Sequence, residues 1–177
     1  PMRWTGEAAR LATALKIGPG TTIADIGAGS GALAVELAAI AGSAGRTFAT
    51  ERTPPQRQRL SERAASAGVA VTVLAAPDTA TGLPDACCDV ITMRMVMHHI
   101  GDSAAFVRDL KRSLRPGGRV AVIAFAAGAL PHLAHDHGVS PQQVIVLFTA
   151  AGFAVEQQQP QWGGRTYLIV FANTDGR

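Results

Sequence analysis

The residues best suited to chemistry stand in one short run, Asp25-Ile26-Gly27-Ala28-Gly29-Ser30-Gly31. Its glycines let the backbone approach a ligand with no Cβ in the way. Amide groups at the start of a following helix would then face that ligand. This is the chemistry of holding a nucleotide-like group. Gly27-x-Gly29-x-x-Ala32 also satisfies the relaxed dinucleotide fingerprint. Glu51, twenty residues beyond Gly31, serves either ligand by accepting hydrogen bonds from ribose hydroxyls. Three features favour S-adenosyl-L-methionine over a nicotinamide dinucleotide. Asp25 offers a carboxylate to a cationic ligand. Gly31 gives a Gly-x-Gly-x-Gly pattern with no glycine at 32. No second domain to hold a hydride acceptor is expected within these 177 residues.

A second group of candidates is imidazoles. His98 and His99 adjoin, and histidine titrates near neutral pH, so either is a candidate for proton transfer or for positioning an acceptor. Neighbours on a helix point in different directions, so one of the two is expected to face a site. His132, His135, Asp136 and His137 form another cluster. Its donor types suit zinc or another transition metal, but its spacing matches no common structural-zinc pattern, and no bound metal is expected. A solvated loop, contact with an acceptor and, behind them, metal binding are its readings. Cys87 and Cys88 are adjacent, which places them poorly for bridging each other. No CxxC spacing exists, so no disulfide framework is expected, which fits a reducing compartment.

These residues need elements to position them, and the chain alternates helical and strand patterns, the mark of an α/β fold with a mainly parallel sheet. Residues 6–16 are rich in helix formers and stop at Gly18-Pro19-Gly20. Strands are expected over 21–26, 46–50, 69–74, 89–93, 119–125, 153–159 and 166–172. Helices are expected over 31–41, 54–67, 103–114 and 140–151. Ser140 is the expected N-cap of the last helix and Gly152 its C-cap. Pro116-Gly117-Gly118 reads as a sharp turn before the fifth strand. The whole predicts a Rossmann-like seven-stranded mixed sheet, mostly parallel with the last strand antiparallel, and helices on both faces. Ligands in such sheets bind beyond the carboxyl ends of the strands, near the switch in strand order.

Bulk properties narrow the class. The 177 residues suit one domain, taken as 1–177, with 1–16 as a lid segment and first helix. Hydrophobic residues make up 47% and charged residues 16%, which excludes a disordered chain. No apolar run reaches the roughly 18–20 residues of a membrane helix, and residues 1–7 hold no apolar signal core. A cytoplasmic protein with no membrane partner is expected. The net charge of +3 is small and scattered. The arginines around 52–63 and 108–115 read as solvated helix faces, and no nucleic-acid partner is expected.

With those motifs in order, the chain resembles the class I S-adenosylmethionine-dependent methyltransferases, within the group that includes the ubiquinone/menaquinone C-methyltransferases. The resemblance rests on Ile23–Gly31, Glu51, Leu83-Pro84-Asp85 leading to Cys88-Asp89-Val90-Ile91, Val96-Met97-His98-His99-Ile100, and Leu110–Val122 with its Leu-Arg-Pro-Gly-Gly-Arg core. It implies a cofactor site made by Asp25, Gly27, Ala28, Gly29, Gly31, Glu51, Arg52, Asp78, Thr79, Arg94 and Met95. Asp25, Gly27 and Gly29 would cradle the methionine end and ribose, Glu51 the ribose hydroxyls, Arg52 and Asp78 the adenine, with Thr79 beside it. Arg94 and Met95 would line the methionine end. Trp4 and His137 would contact a small-molecule acceptor, the Arg3-Trp4-Thr5-Gly6 stretch folding over the cofactor as a partial lid. The usual Gly-Asp before the adenine site is Pro77-Asp78 here, and Cys88 replaces the aromatic that usually precedes Asp89. The alternatives are a cofactor-binding module without catalysis of its own and an NAD-type oxidoreductase. A monomer or homodimer is expected.

Overall fold

The computed structural model describes residues 6–128 and 138–175. Helix α1 spans Glu7–Leu15, strand β1 Thr22–Ile26, α2 Ala32–Ala41, β2 Arg46–Glu51, α3 Pro54–Ala67 and β3 Thr72–Ala75. Then come β4 Cys88–Arg94, a 3₁₀ turn Met97–His99, α4 Ser103–Ser113, β5 Leu114–Phe125, α5 Pro141–Ala150, β6 Phe153–Gly163 and β7 Thr166–Asn173. The seven strands form one sheet in the order β3-β2-β1-β4-β5-β7-β6. Strands β1 to β5 pair in parallel, and β7 runs antiparallel to both β5 and β6. The fold is thus the expected mixed sheet with β7 reversed.

Both faces are covered. Every residue of β1 and β7 is buried, as a strand between two helix layers requires. Side chains of β7 alternate: Tyr167, Ile169 and Phe171 join Phe106, Leu110 and Phe148 on one face, while Leu168 and Val170 join Leu11, Leu15 and Leu37 on the other. Helix α3 packs separately, through Leu60, against Ala28, Ala34 and Ala49. Among the described residues, no helix is long and apolar enough to cross a membrane.

Four details differ from the sequence reading. Strand β3 is shorter than 69–74, because the end of α3 claims the first residues: the Val69 N–H donates to the Ala64 carbonyl at 3.1 Å. Pro116-Gly117-Gly118 does not precede a strand but interrupts one. Leu114 pairs with Cys88 and Arg119 with Val90, so residues 115–118 bulge out within β5, with Gly117 at φ 73°. The C-cap of α5 is Ala151, and Gly152 just beyond it takes φ 86°. Lastly, Cys87 and Cys88 are bonded to each other, S–S 2.17 Å with Cα atoms 3.7 Å apart. A regular strand would send adjacent side chains to opposite faces. Here Cys87 still belongs to the turn entering β4, just after Ala86 at φ 42°.

The long connection from β3 to β4 carries Asp78 and is pinned at Thr81, which is fully buried. Its N–H and Oγ1 donate to Asp109 Oδ2 at 2.8 and 2.6 Å, and Oγ1 lies 3.0 Å from Ser113 Oγ and accepts from Leu83 N. Burial alone would raise the Asp109 carboxyl, but hydrogen bonds from Arg112 and Thr81 hold it below its ordinary value. Thr81→Val keeps the shape and removes the hydroxyl bonds. It should cost about 1–3 kcal/mol in equilibrium urea unfolding; a loss under about 0.5 kcal/mol would show the loop is held by other contacts.

Candidate functional site

Strand order reverses between β1 and β4, and a cavity of about 550 Å³ opens beyond their carboxyl ends. Its wall takes Asp25 and Ile26 from the end of β1, Gly27 to Ser30 from the loop that follows, Glu51 and Arg52 from the end of β2, and Ala76 to Asp78 from the loop after β3. Arg94 at the end of β4 and Met95, Val96, His99 and Ile100 beyond it complete that side.

The glycine loop hangs on β2. Ala28 N–H donates to the Thr50 carbonyl at 3.0 Å and Gly27 N–H to Thr50 Oγ1 at 3.3 Å. Gly29 N–H donates to Glu51 Oε1 at 2.6 Å, and Arg52 N–H to Glu51 Oε2 at 3.1 Å. The Glu51 carboxylate, 6% exposed, is therefore aimed by two backbone donors. It retains lone pairs to accept from a ligand. A Cβ on Gly29, whose φ is 59°, would meet nothing within 4 Å. Gly31 plays another part: it precedes α2 at φ 80°, and a Cβ there would stand 3.0 Å from Leu60. It keeps α2 and α3 close and does not line the cavity.

Asp25 is 2% exposed and accepts from Thr92 Oγ1 at 2.8 Å. Burial pushes its carboxyl up from 3.8 to about 6. The Thr92 hydrogen bond and the charge of Arg94 oppose the rise, and the charges of Glu7 and Glu51 add to it. At the rim, exposed Arg52 pairs with exposed Asp78 at 2.8 Å, bridging the loops after β2 and β3. Arg57 donates to the Glu51 and Arg52 carbonyls and so braces the same turn. After β4 the chain turns sharply. Met95 takes φ 60°, a conformation that costs a non-glycine residue about 1–2 kcal/mol, and its N–H is held by the Ile123 carbonyl at 2.8 Å.

The 3₁₀ turn separates the two histidines. His99 is exposed and lines the cavity; His98 is half-buried and does not, and their rings lie 3.9 Å apart. Of the residues expected at a cofactor site, Asp25, Gly27, Ala28, Gly29, Glu51, Arg52, Asp78, Arg94 and Met95 come together on this wall, whereas Gly31 and Thr79 do not. Trp4, His132, His135 and His137 lie outside the described residues. Among the described residues no cluster of three or more His, Cys, Asp or Glu is arranged to hold a metal.

Sequence reasoning missed several wall residues. Gln56 had a signal: Thr53-x-x-Gln56 forms the capping box of α3, and that box sets the helix start beside Glu51. Phe106 belongs to the apolar stripe of α4 and reads as core; it serves the core and the cavity together. Val96 and Ile100 flank the His98-His99 motif, but being apolar they gave no sign of lining the cavity.

The model of the methyltransferase domain family matches residues 24–122. The ubiquinone/menaquinone biosynthesis C-methyltransferase UbiE of Burkholderia orbicola is 29% identical over 108 residues, 61% of this chain and 44% of that protein. The chain thus spans less than half the length of that curated relative. Among solved structures, an S-adenosylmethionine-dependent methyltransferase from Aquifex aeolicus superposes with a TM-score of 0.83 at 21% identity, covering 94% of this chain and 89% of that one. The YcgJ protein of Bacillus subtilis gives 0.80 at 17% identity, covering 97% and 100%. At those identities the likeness is one of fold.

The raised Asp25 carboxyl has a testable sign. A group that holds its proton more tightly in the folded state contributes stability that is full below its unfolded value, near 3.8, and is lost as pH rises through about 6. Relative to Asp25→Asn, the ligand-free wild type should therefore lose melting temperature between pH 4 and pH 7. A constant difference across that range would show that Asp25 does not titrate there.

Proposed function

The chain belongs to the methyltransferase domain family of class I, S-adenosylmethionine-dependent enzymes, and on that premise we propose that it transfers a methyl group to a small-molecule acceptor held beside His99. The observation that carries this reading is the convergence, on one cavity, of the Gly27–Ser30 backbone, an oriented Glu51 carboxylate and the Arg94–His99 segment.

The residues present fit the cofactor. Glu51 offers a fixed acceptor to a vicinal diol. Asp25 and Glu51 make the floor acidic, which suits a sulfonium cation, and Gly29 leaves open space where another residue would project. When bound, S-adenosylmethionine supplies a methyl group that is already electrophilic. The work left to the chain is positional, and holding two reactants in line is worth roughly 7–11 kcal/mol. The loop amides and Glu51 hold one partner; Val96, Ile100 and Phe106 form an apolar wall that excludes water. His99 reaches the cavity from the turn after β4 and is placed to orient an acceptor or take its proton. His98 packs behind it. The cavity volume lies within the usual range for small-molecule sites, which suits the cofactor.

Calorimetry with S-adenosylhomocysteine tests the site. The wild type should bind, and Glu51→Ala should weaken binding more than tenfold; absence of binding by a folded sample at millimolar ligand would overturn the reading. For the chemistry, His99→Ala should lower kcat/KM at least about tenfold with cofactor affinity unchanged, and His98→Ala should act mainly on melting temperature. Binding without turnover on any acceptor panel would instead make the chain a cofactor-binding module.

A further inference from the structure

Helix α1 begins with a carboxylate that the proposed chemistry does not use. Glu7 is 3% exposed, and an isolated charge at that depth would be very costly. Both of its oxygens are engaged. Oε2 accepts from Arg94 Nη1 at 2.7 Å, and Oε1 accepts from Trp162 Nε1 at 2.9 Å. Trp162 is itself 3% exposed and gripped by α1: the Arg10 guanidinium lies 3.9 Å from its ring centre and donates to its carbonyl oxygen. Glu7 therefore cannot rotate without breaking a buried bond, and it fixes the guanidinium it holds.

That guanidinium lines the cavity, close enough to Asp25 to act on its charge. Arg52 and Arg94 are the arginines of the described wall; Arg52 sits exposed at the rim, and Arg94, at the end of β4, is the more buried of the two. The wall thus presents a carboxylate and a guanidinium from neighbouring strands. A ligand end that matches both carries a cation and an anion, as an α-amino acid does. A tie that only fastened α1 to β6 would be served as well by apolar side chains, and would have no reason to end on the cavity.

We infer that Glu7, oriented by Trp162, is a positioning residue that holds Arg94 as the recognition group for the carboxylate of the cofactor's amino-acid tail. This rests on the proposed cofactor site. Arginine is suited to the task because its planar fork meets a carboxylate with paired, charge-assisted hydrogen bonds.

The experiment compares, by calorimetry, S-adenosylhomocysteine with its decarboxylated analogue, which keeps the adenosine, the thioether and the amine. The wild type should prefer the carboxylate form by about 30-fold. Arg94→Gln should bring that ratio to within about threefold of unity while the analogue binds as before. Glu7→Gln and Trp162→Phe should each reduce the ratio at least about fivefold, since both loosen the guanidinium without touching the ligand. Cooperative unfolding by circular dichroism checks the fold of each variant. If Glu7→Gln does not fold, Trp162→Phe, which removes one N–H and keeps a ring, decides alone. Equal weakening of both ligands with the wild-type ratio intact would overturn the inference and leave a structural tie. A wild type that binds neither ligand would overturn the cofactor reading and the inference with it. A wild type that binds both equally would overturn the inference alone.

Discussion

Strand β1 is buried along its whole length, with β2 on one side, β4 on the other and helices over both faces. Such a strand has no solvated face on which to display a polar group. Polarity is forced to its carboxyl end, where chains leave β1 and β4 in opposite directions across the sheet and cannot cover the gap between them. The cavity is that gap. Asp25 stands at its edge, still within β1, and pays the desolvation penalty of its position by holding its proton toward neutral pH.

The charges around the cavity are balanced in layers. Glu51 leans on two backbone amides, Asp25 on a threonine hydroxyl, and Arg94 on Glu7. Exposed Arg52 and Asp78 pair at the mouth, where such a pair contributes little to stability but ties two loops that line the same space. The backbone does much of the orienting. An amide fixed by sheet and loop geometry has no rotamer freedom to lose, so the Glu51 acceptor is set before any ligand arrives.

Much of this was legible in the sequence because local rules carried it. Glycines with positive φ, a strand ending in Glu51, and the periodicity of α4 are local signals, and they located β1, β2 and most of the cavity wall. What was not legible depended on distance. Glu7 and Trp162 stand 155 residues apart in the chain, and neither residue type announces the other. The pinning of Thr81 by Asp109 is of the same kind. The bond between Cys87 and Cys88 eluded the rule that neighbours in a strand face apart, since Cys87 lies in the turn before β4. Gly31 matched the glycine pattern but its place is decided by Leu60 of α3, a contact that spacing does not encode.

The Glu7–Trp162 contact bears on how the molecule is made. A chain emerging from the ribosome exposes α1, β1, β2 and β4 long before residue 162, so every strand that borders the cavity exists while Glu7 still lacks its indole partner. The buried carboxylate becomes fully paired only when β6 and β7 close as a hairpin onto β5. Closing so long a loop is entropically slow compared with local pairing. Competence of the base of the site is therefore tied to a hairpin made after every strand that borders the cavity, and a polypeptide stopped short of β6 would carry the glycine motif intact beside an unfinished floor.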